Sequence, residues 1–387
     1  MHPPPYLSTR AKEVQPFRTI ALLTQAKARI AAGQDIIRLD VGEPDFPTPA
    51  PVQAAAARAL AGGSGRYTES SGTPLLRNKI ARYYQDRYGV RVDPARIIVT
   101  TGSSAALWVA MSLLVDHGDA LLTPSPAYPS HGVFASAAGG KLMNLTSTTP
   151  GDLWPPLAQF EAAWTPQTRG ILIASPSNPT GSVMPWPRTR ELIDLAEAHH
   201  ASFISDEIYH GLNFDAPDHT ALEHSQQAFV VNSFSKYFSM TGWRLGWLIV
   251  PDAYVAAAEM MAQHFYLSPP DLSQQAALAC FEPDTLAICE QRRLELQARR
   301  DYLLPALEAL GFKVPYRPDG GFYIFADASK FTDDGYQFCL DLLQHAGVSA
   351  APGIDFGPFQ RYLRFSYCTR LERLQEAVER IKAYINR

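Results

Sequence analysis

Phe229-Val230-Val231-Asn232-Ser233-Phe234-Ser235-Lys236 is the stretch on which the reading of this chain turns. An apolar run gives way to small hydroxyl residues and then to a lysine with aromatic neighbours. The run does not alternate apolar with polar, so a strand built from it is covered on both faces. Runs of similar texture stand on either side: Ile97-Ile98-Val99, Ala120-Leu121-Leu122, Ile171-Leu172-Ile173, Phe203-Ile204-Ser205 and Trp247-Leu248-Ile249-Val250. Helical patterns separate them. Strands and helices in alternation predict an α/β fold, a mainly parallel sheet between helical layers.

The bulk properties agree with a folded enzyme-sized chain. Its 387 residues exceed one small core, and 46% hydrophobic against 19% charged excludes a disordered chain. The net charge of −4 offers no basic excess for a nucleic-acid backbone. Cys280, Cys289, Cys339 and Cys368 form no C-x-x-C pair, which argues against a disulfide framework or zinc site and fits a reducing cytoplasm. Met1-His2-Pro3-Pro4-Pro5-Tyr6 lacks the apolar core of a secretory signal and reads as an extended arm. Ile97 to Val115 carries no charge, but Thr100-Thr101-Gly102-Ser103-Ser104 makes it a strand, polar loop and helix instead of a membrane span. No metal, nucleic-acid or membrane partner is expected.

Ile20 to Ala32 has helical spacing and ends at Gly33. After about residue 250 the texture shifts to long helical patterns such as Glu290 to Leu310. Phe322-Tyr323-Ile324-Phe325, a helix near Gln337 to His345, Tyr362-Leu363-Arg364-Phe365 and a last helix from Leu371 follow. This α+β texture predicts a smaller second domain. The expected division is 1–45 as N-terminal arm and part of the small domain, 46–285 as the large domain and 286–387 as the small C-terminal domain.

Ligands of open α/β sheets bind beyond the carboxyl ends of the strands, so the polar residues after each run are the candidates for chemistry. Lys236 lies among Phe234, Phe238, Met240 and Trp243. A lysine stripped of water loses its proton more readily and attacks carbonyls. Arg244, with the hydroxyls of Ser233 and Ser235 nearby, could hold a phosphate. Ser103 and Ser104 open a helix whose free N–H groups suit the same anion. Asp206 in Asp206-Glu207-Ile208-Tyr209 reads either as an N-cap with a packed Tyr209 or as a functional carboxylate, with Glu207 structural. Pro176-Ser177-Asn178-Pro179 is a turn in which a cis bond at Asn178-Pro179 is plausible. Tyr128 and Tyr67 are loop aromatics. Arg364, flanked by apolar strand residues, needs a partner, either a structural acid or a ligand.

Ser233 to Gly246 resembles the lysine signature of class I/II aminotransferases, fold-type-I enzymes that use pyridoxal 5′-phosphate, and the resemblance runs from Gly42-Glu43-Pro44-Asp45 to Arg364. It implies a large domain with a seven-stranded, mainly parallel sheet, and Lys236 as the residue that carries the cofactor and moves the Cα proton. It assigns Asp206 to the pyridine nitrogen, and Tyr209 and Asn178 to the ring's 3′ oxygen. Tyr128 stacks on the ring, while Ser103, Ser104, Ser233, Ser235 and Arg244 surround the phosphate. Arg364, with Gly42, Tyr128 and Asn178, takes the substrate. Tyr67 is sent to the neighbouring subunit's phosphate, which implies a homodimer with shared sites. The implied reaction passes the amino group of an L-amino acid to a 2-oxo acid, 2-oxoglutarate being the expected acceptor. A lyase of the same fold is the alternative, because both chemistries need the same cofactor contacts. Gln15-Pro16 lacks a lysine found in some dicarboxylate-using relatives; Arg18 could replace it, whereas Phe17 leans towards an apolar or aromatic donor.

Overall fold

The computed structural model describes residues 6–8, 11, 12, 14, 16–149 and 151–387. Pro3-Pro4-Pro5 and Gln15 lie outside them. The described strands are β1 (Ile37–Arg38), β2 (Ile97–Thr100), β3 (Ala120–Ser125), β4 (Lys141–Thr146), β5 (Thr168–Ala174), β6 (Ser202–Asp206), β7 (Phe229–Ser233), β8 (Gly246–Ile249), β9 (Tyr323–Asp327), β10 (Val348–Ser349), β11 (Ala351–Pro352) and β12 (Tyr362–Ser366). Seven of them form one sheet in the order β2-β8-β7-β6-β5-β3-β4. Only β8 runs against its two neighbours; the other pairings are parallel.

Why the apolar runs do not alternate is visible in where their side chains go. Ile171 and Ile173 enter one core, while Leu172 between them enters a second core on the opposite face. Phe203 and Ile204 divide in the same way, as do Val230 and Val231, and Trp247 and Leu248. Both faces are dry, so successive positions in the middle of these strands are apolar. β4 is the exception that sequence reading missed. It sits at the sheet's edge, and Lys141, Leu145 and their neighbours are exposed or half-buried, so no continuous apolar run marks it.

A second sheet, β11-β12-β9, is antiparallel. The segment before it is the helix Pro283–Leu310, longer than the periodicity from Glu290 predicts. The helix expected near Gln337 is α-helical over Gly335–Asp341 and continues with a wider turn over Leu342–Ala346. β1 pairs in parallel with β10, Ile37 opposite Val348, which ties residues 37–42 to the C-terminal part of the chain. No helix among the described residues is long and apolar enough to cross a membrane.

Leu172 is fully buried at the centre of the sheet. Leu172→Ala should lower unfolding free energy by about 3 kcal/mol, the middle of the range for buried Leu truncation. A loss below about 1 kcal/mol in denaturant titration would show that this face repacks freely.

Candidate active site

Because β8 alone is reversed, the carboxyl ends of β2, β3, β5, β6 and β7 and the amino end of β8 meet at one edge of the sheet. Each end delivers a polar residue within a few positions: Ser103 after β2, Tyr128 after β3, Asn178 after β5, Asp206 closing β6, Lys236 after β7 and Arg244 before β8. Gly42, Ser104, Tyr209, Ser235 and Arg364 join them around a cavity of about 480 Å³.

At one end, Gly102 takes φ +86 and starts the helix Ser103–Leu114. A Cβ on Gly102 would lie 2.6 Å from Arg244 Nη2, so only glycine lets this loop and the guanidinium approach. Gly246 plays the matching part from below, since its Cβ would meet Gly102 C and Ser103 N at 2.9 Å. Free helix N–H groups, hydroxyls and a guanidinium therefore converge, a donor set for a phosphate.

In the middle stands Asp206, 3% exposed. Its Oδ1 accepts from the Ile208 N–H at 3.3 Å, and its Oδ2 accepts from His131 Nε2 at 3.0 Å. The Tyr128 ring meets His131 edge-on, with centroids 5.5 Å apart. Lys236 Nζ donates to the carbonyl of Gly42 at 2.6 Å. Burial lowers the lysine's pKa from 10.5 to about 8; Cys368 and Glu43 oppose the shift, while Arg364 and Arg244 reinforce it. The buried Tyr209 hydroxyl lies 3.1 Å from that of Tyr323, and burial, followed by this tyrosine, holds its pKa well above 10.

At the other end Arg364 is 3% exposed, with no acid beside it among the described residues. Nη1 donates to Asn178 Oδ1 and Nη2 to the carbonyl of Asp40, both at 2.9 Å. Its face covers the Tyr323 ring at 4.3 Å, and Nε has no partner among the described residues. Of the two sequence alternatives, a structural salt bridge is absent among the described contacts.

Several expectations need correcting. Ser233 does not line the cavity; its hydroxyl donates to Ser235 Oγ and to the carbonyl of Leu245, so it braces Ser235 from behind. Tyr67, expected in a neighbouring subunit's site, needs no correction: it is 82% exposed and is not part of the lining of this chain's own cavity. Arg18 is exposed, its guanidinium over the Tyr336 ring at 5.8 Å, and it does not line the cavity. The cis bonds are Ser125–Pro126 and Ser175–Pro176, and Asn178–Pro179 is not among them. Sequence reading missed His131, Asp40 and Tyr323. The relation of His131 to Asp206 depends on β3 and β6 flanking β5, which no local pattern reveals.

The family described as aminotransferase class I and II matches residues 34–381. The chain is 38% identical to a valine–pyruvate aminotransferase of Mycobacterium tuberculosis, covering 96% of this chain and 97% of that protein. It is 35% identical to an aspartate/prephenate aminotransferase of Thermus thermophilus, covering 98% and 99%. Among solved structures, an aminotransferase from Mycobacterium tuberculosis matches with a TM-score of 0.94 at 36% identity, covering 98% and 99%. The aspartate aminotransferase of Thermus thermophilus with maleate matches with a TM-score of 0.92 at 34% identity, covering 98% and 99%.

The Lys236 amine should therefore titrate near pH 8 in protein stripped of small molecules. Competitive acylation read by peptide mass should show half-maximal labelling of Lys236 near that pH, well below the exposed lysines. The sign for stability follows. Between about 8 and 10.5 the unfolded chain binds more protons, so the cost of the lowered pKa is present below pH 8 and relieved as pH rises towards 10.5. A Lys236 profile matching that of surface lysines would refute the desolvated amine.

Proposed function

Since this chain belongs to the class I and II aminotransferase family, and is thereby a pyridoxal-phosphate-dependent transaminase acting on amino acids, we propose that Lys236, Asp206 and Tyr209 are its catalytic residues. The acceptor in this reading is a 2-oxo acid, 2-oxoglutarate first among them. The observation that carries it is a lysine of lowered pKa sharing one cavity with a buried carboxylate and a buried arginine fork that has no acid partner.

The residues present fit the cofactor. The Gly102–Arg244 approach leaves a cradle that a Cβ would fill, and Ser103, Ser104, Ser235 and Arg244 supply donors for the phosphate. Ser233 supports Ser235 in this arrangement. Asp206 suits a protonated ring nitrogen, Tyr209 and Asn178 suit the ring oxygen, and Tyr128 offers a face to the ring. When bound, the cofactor supplies an electron-withdrawing ring that accepts the electron pair left by the Cα proton.

The chain's own groups do the rest. Arg364 holds the substrate α-carboxylate through its fork, with Asn178 fixing the guanidinium and Gly42 lining the same cavity. That leaves the Cα–H in reach of Lys236, whose neutral amine takes the proton and later returns it. His131 keeps the Asp206 carboxylate in one orientation, from which it would meet the cofactor's ring nitrogen.

Three further points belong to the same proposal. The domain division at 45 and 285 is supported by the seven-stranded sheet lying within 46–285, β9, β11 and β12 lying after it, and β1 crossing to β10. Cytoplasmic residence is supported by four buried, unpaired cysteines. A homodimer is supported by Tyr67, exposed on a loop that Ser71 ties to Glu259, on a helix that also exposes Met260 and Phe265.

An amino-donor and 2-oxo-acid panel on the holoenzyme tests the reading: 2-oxo acid should form only with an acceptor present. Arg364→Lys keeps the charge but loses the two-point fork. It should lose roughly 1.5–3 kcal/mol in kcat/KM for amino acids while cofactor retention is unchanged. Cofactor loss with intact selectivity would move Arg364 out of the substrate site. For the dimer, mixing Tyr67→Phe chains with Lys236→Ala chains should restore activity, because one site per hybrid regains both residues. No recovery would remove Tyr67 from the shared site.

A further inference from the structure

Tyr323 and Arg364 are diagonal neighbours on one face of the second sheet. In the β9–β12 register Tyr323 stands opposite Ser366, two residues beyond Arg364, and long or aromatic side chains reach each other at that spacing. The Tyr323 ring centroid lies 4.3 Å from Arg364 Cζ. The hydroxyl extends further, to 3.1 Å from that of Tyr209. Tyr209 comes from the other sheet, on the loop after β6. A Cβ on Gly42 would lie 3.2 Å from the same Tyr323 hydroxyl, so the segment after β1 passes close to it as well. One side chain thus meets the arginine fork with its ring and Tyr209 with its oxygen.

Both tyrosines are buried, and both line the cavity. Burial pushes the Tyr323 hydroxyl up to about 12, against the pull of Arg364, and holds that of Tyr209 well above 10. Each therefore keeps its proton at neutral pH. Among the described residues neither hydroxyl meets a further hydrogen-bond partner. Two O–H groups that share one hydrogen bond leave one proton to give. Tyr209 is fixed for giving it: its ring is met edge-on by those of Phe322 and Tyr323, with centroids 5.3 and 5.9 Å away. Lys236 Nζ stands 5.9 Å from the Tyr209 ring centroid.

We propose that Tyr323 is a positioning residue of the transamination site: its hydroxyl donates to Tyr209 and so leaves the Tyr209 proton for the cofactor's ring oxygen, while its ring holds the Arg364 guanidinium in place for the substrate carboxylate. This rests on Tyr209 serving the ring oxygen, as argued above, and adds the group behind it. Hydrogen bonds in a chain polarise one another. A Tyr209 hydroxyl that accepts from Tyr323 is the stronger donor, and it favours the charged form of the ring oxygen. The pH at which the bound cofactor takes up a proton is thereby lowered.

The test follows the visible absorbance of the holoenzyme against pH for the wild type, Tyr323→Phe, Tyr209→Phe and the double variant. Tyr323→Phe removes one oxygen and keeps the ring, so the packing on Arg364 is retained. Its titration midpoint should rise by roughly half a pH unit and its kcat fall about threefold, part of one neutral hydrogen bond, with KM for the amino acid unchanged. In the Tyr209→Phe background the same change should shift nothing, because the chain of donors is already cut. Tyr323→Leu, which also removes the ring, should raise KM for the amino acid about fivefold, the scale of a lost cation–ring contact. An unchanged midpoint in Tyr323→Phe, an equal shift in the Tyr209→Phe background, or an unaltered KM in Tyr323→Leu would overturn the proposal, while a shift in Tyr209→Phe leaves Tyr209 at the ring oxygen. No shift in Tyr209→Phe would overturn both.

Discussion

Strands dry on both faces have to lie side by side beneath two layers of helix, and in this chain that requirement organises nearly everything else. Parallel strands joined by crossing helices all end at the same edge. Residues spread along the chain from Ser103 to Arg244 are thereby collected around one cavity. The single reversed strand adds what a fully parallel sheet could not. It begins at the shared edge, so Arg244 arrives from the opposite chain direction and faces the start of the helix Ser103–Leu114. Glycine at 102 and 246 is the steric condition for that meeting.

The segment after β1 works as a strap between the two sheets. Leu39 donates to Ser349 and accepts from Ser366, Asp40 accepts from Arg364, and Gly42 accepts from Lys236. Two cations that must not lose their positions are thus held by backbone carbonyls, which carry no net charge and leave each cation its ionic capacity. A guanidinium at 3% exposure with no acid beside it is expensive to keep unless aromatic faces and carbonyls surround it. Tyr323 and Phe356, with centroids at 4.3 and 5.0 Å from Cζ, supply those faces. The unsatisfied Nε and the missing acid are together what a ligand carboxylate would complete.

Electrostatics separates the lysine from the aspartate although both line the same cavity. Lys236 sits over Tyr209 and Phe322 at about 6 Å, and loss of water weakens its hold on a proton. Asp206 keeps a histidine and a backbone N–H as donors. The lysine is thereby prepared to give up its charge, while the Asp206 carboxylate is fixed in place by two hydrogen bonds.

Much of this was written in local sequence. The apolar runs marked six strands of the main sheet because burial on both faces favours consecutive apolar positions. The Ser233 to Gly246 signature marked the lysine and its arginine because apolar, hydroxyl and glycine positions there are fixed by short-range sterics. What local sequence did not carry is set by contacts between distant segments. β4 lies at an edge and needs no apolar run. Ser233 and Ser235 are two residues apart, yet only the packing against Leu245 decides which of them faces the cavity. That Phe17, Ile20 and Leu23 line the cavity and Arg18 does not depends on the helix phase that Asp355, more than 300 residues away, imposes by gripping Thr19. Periodicity shows that a helix has faces; only its tertiary anchor decides which face looks inward.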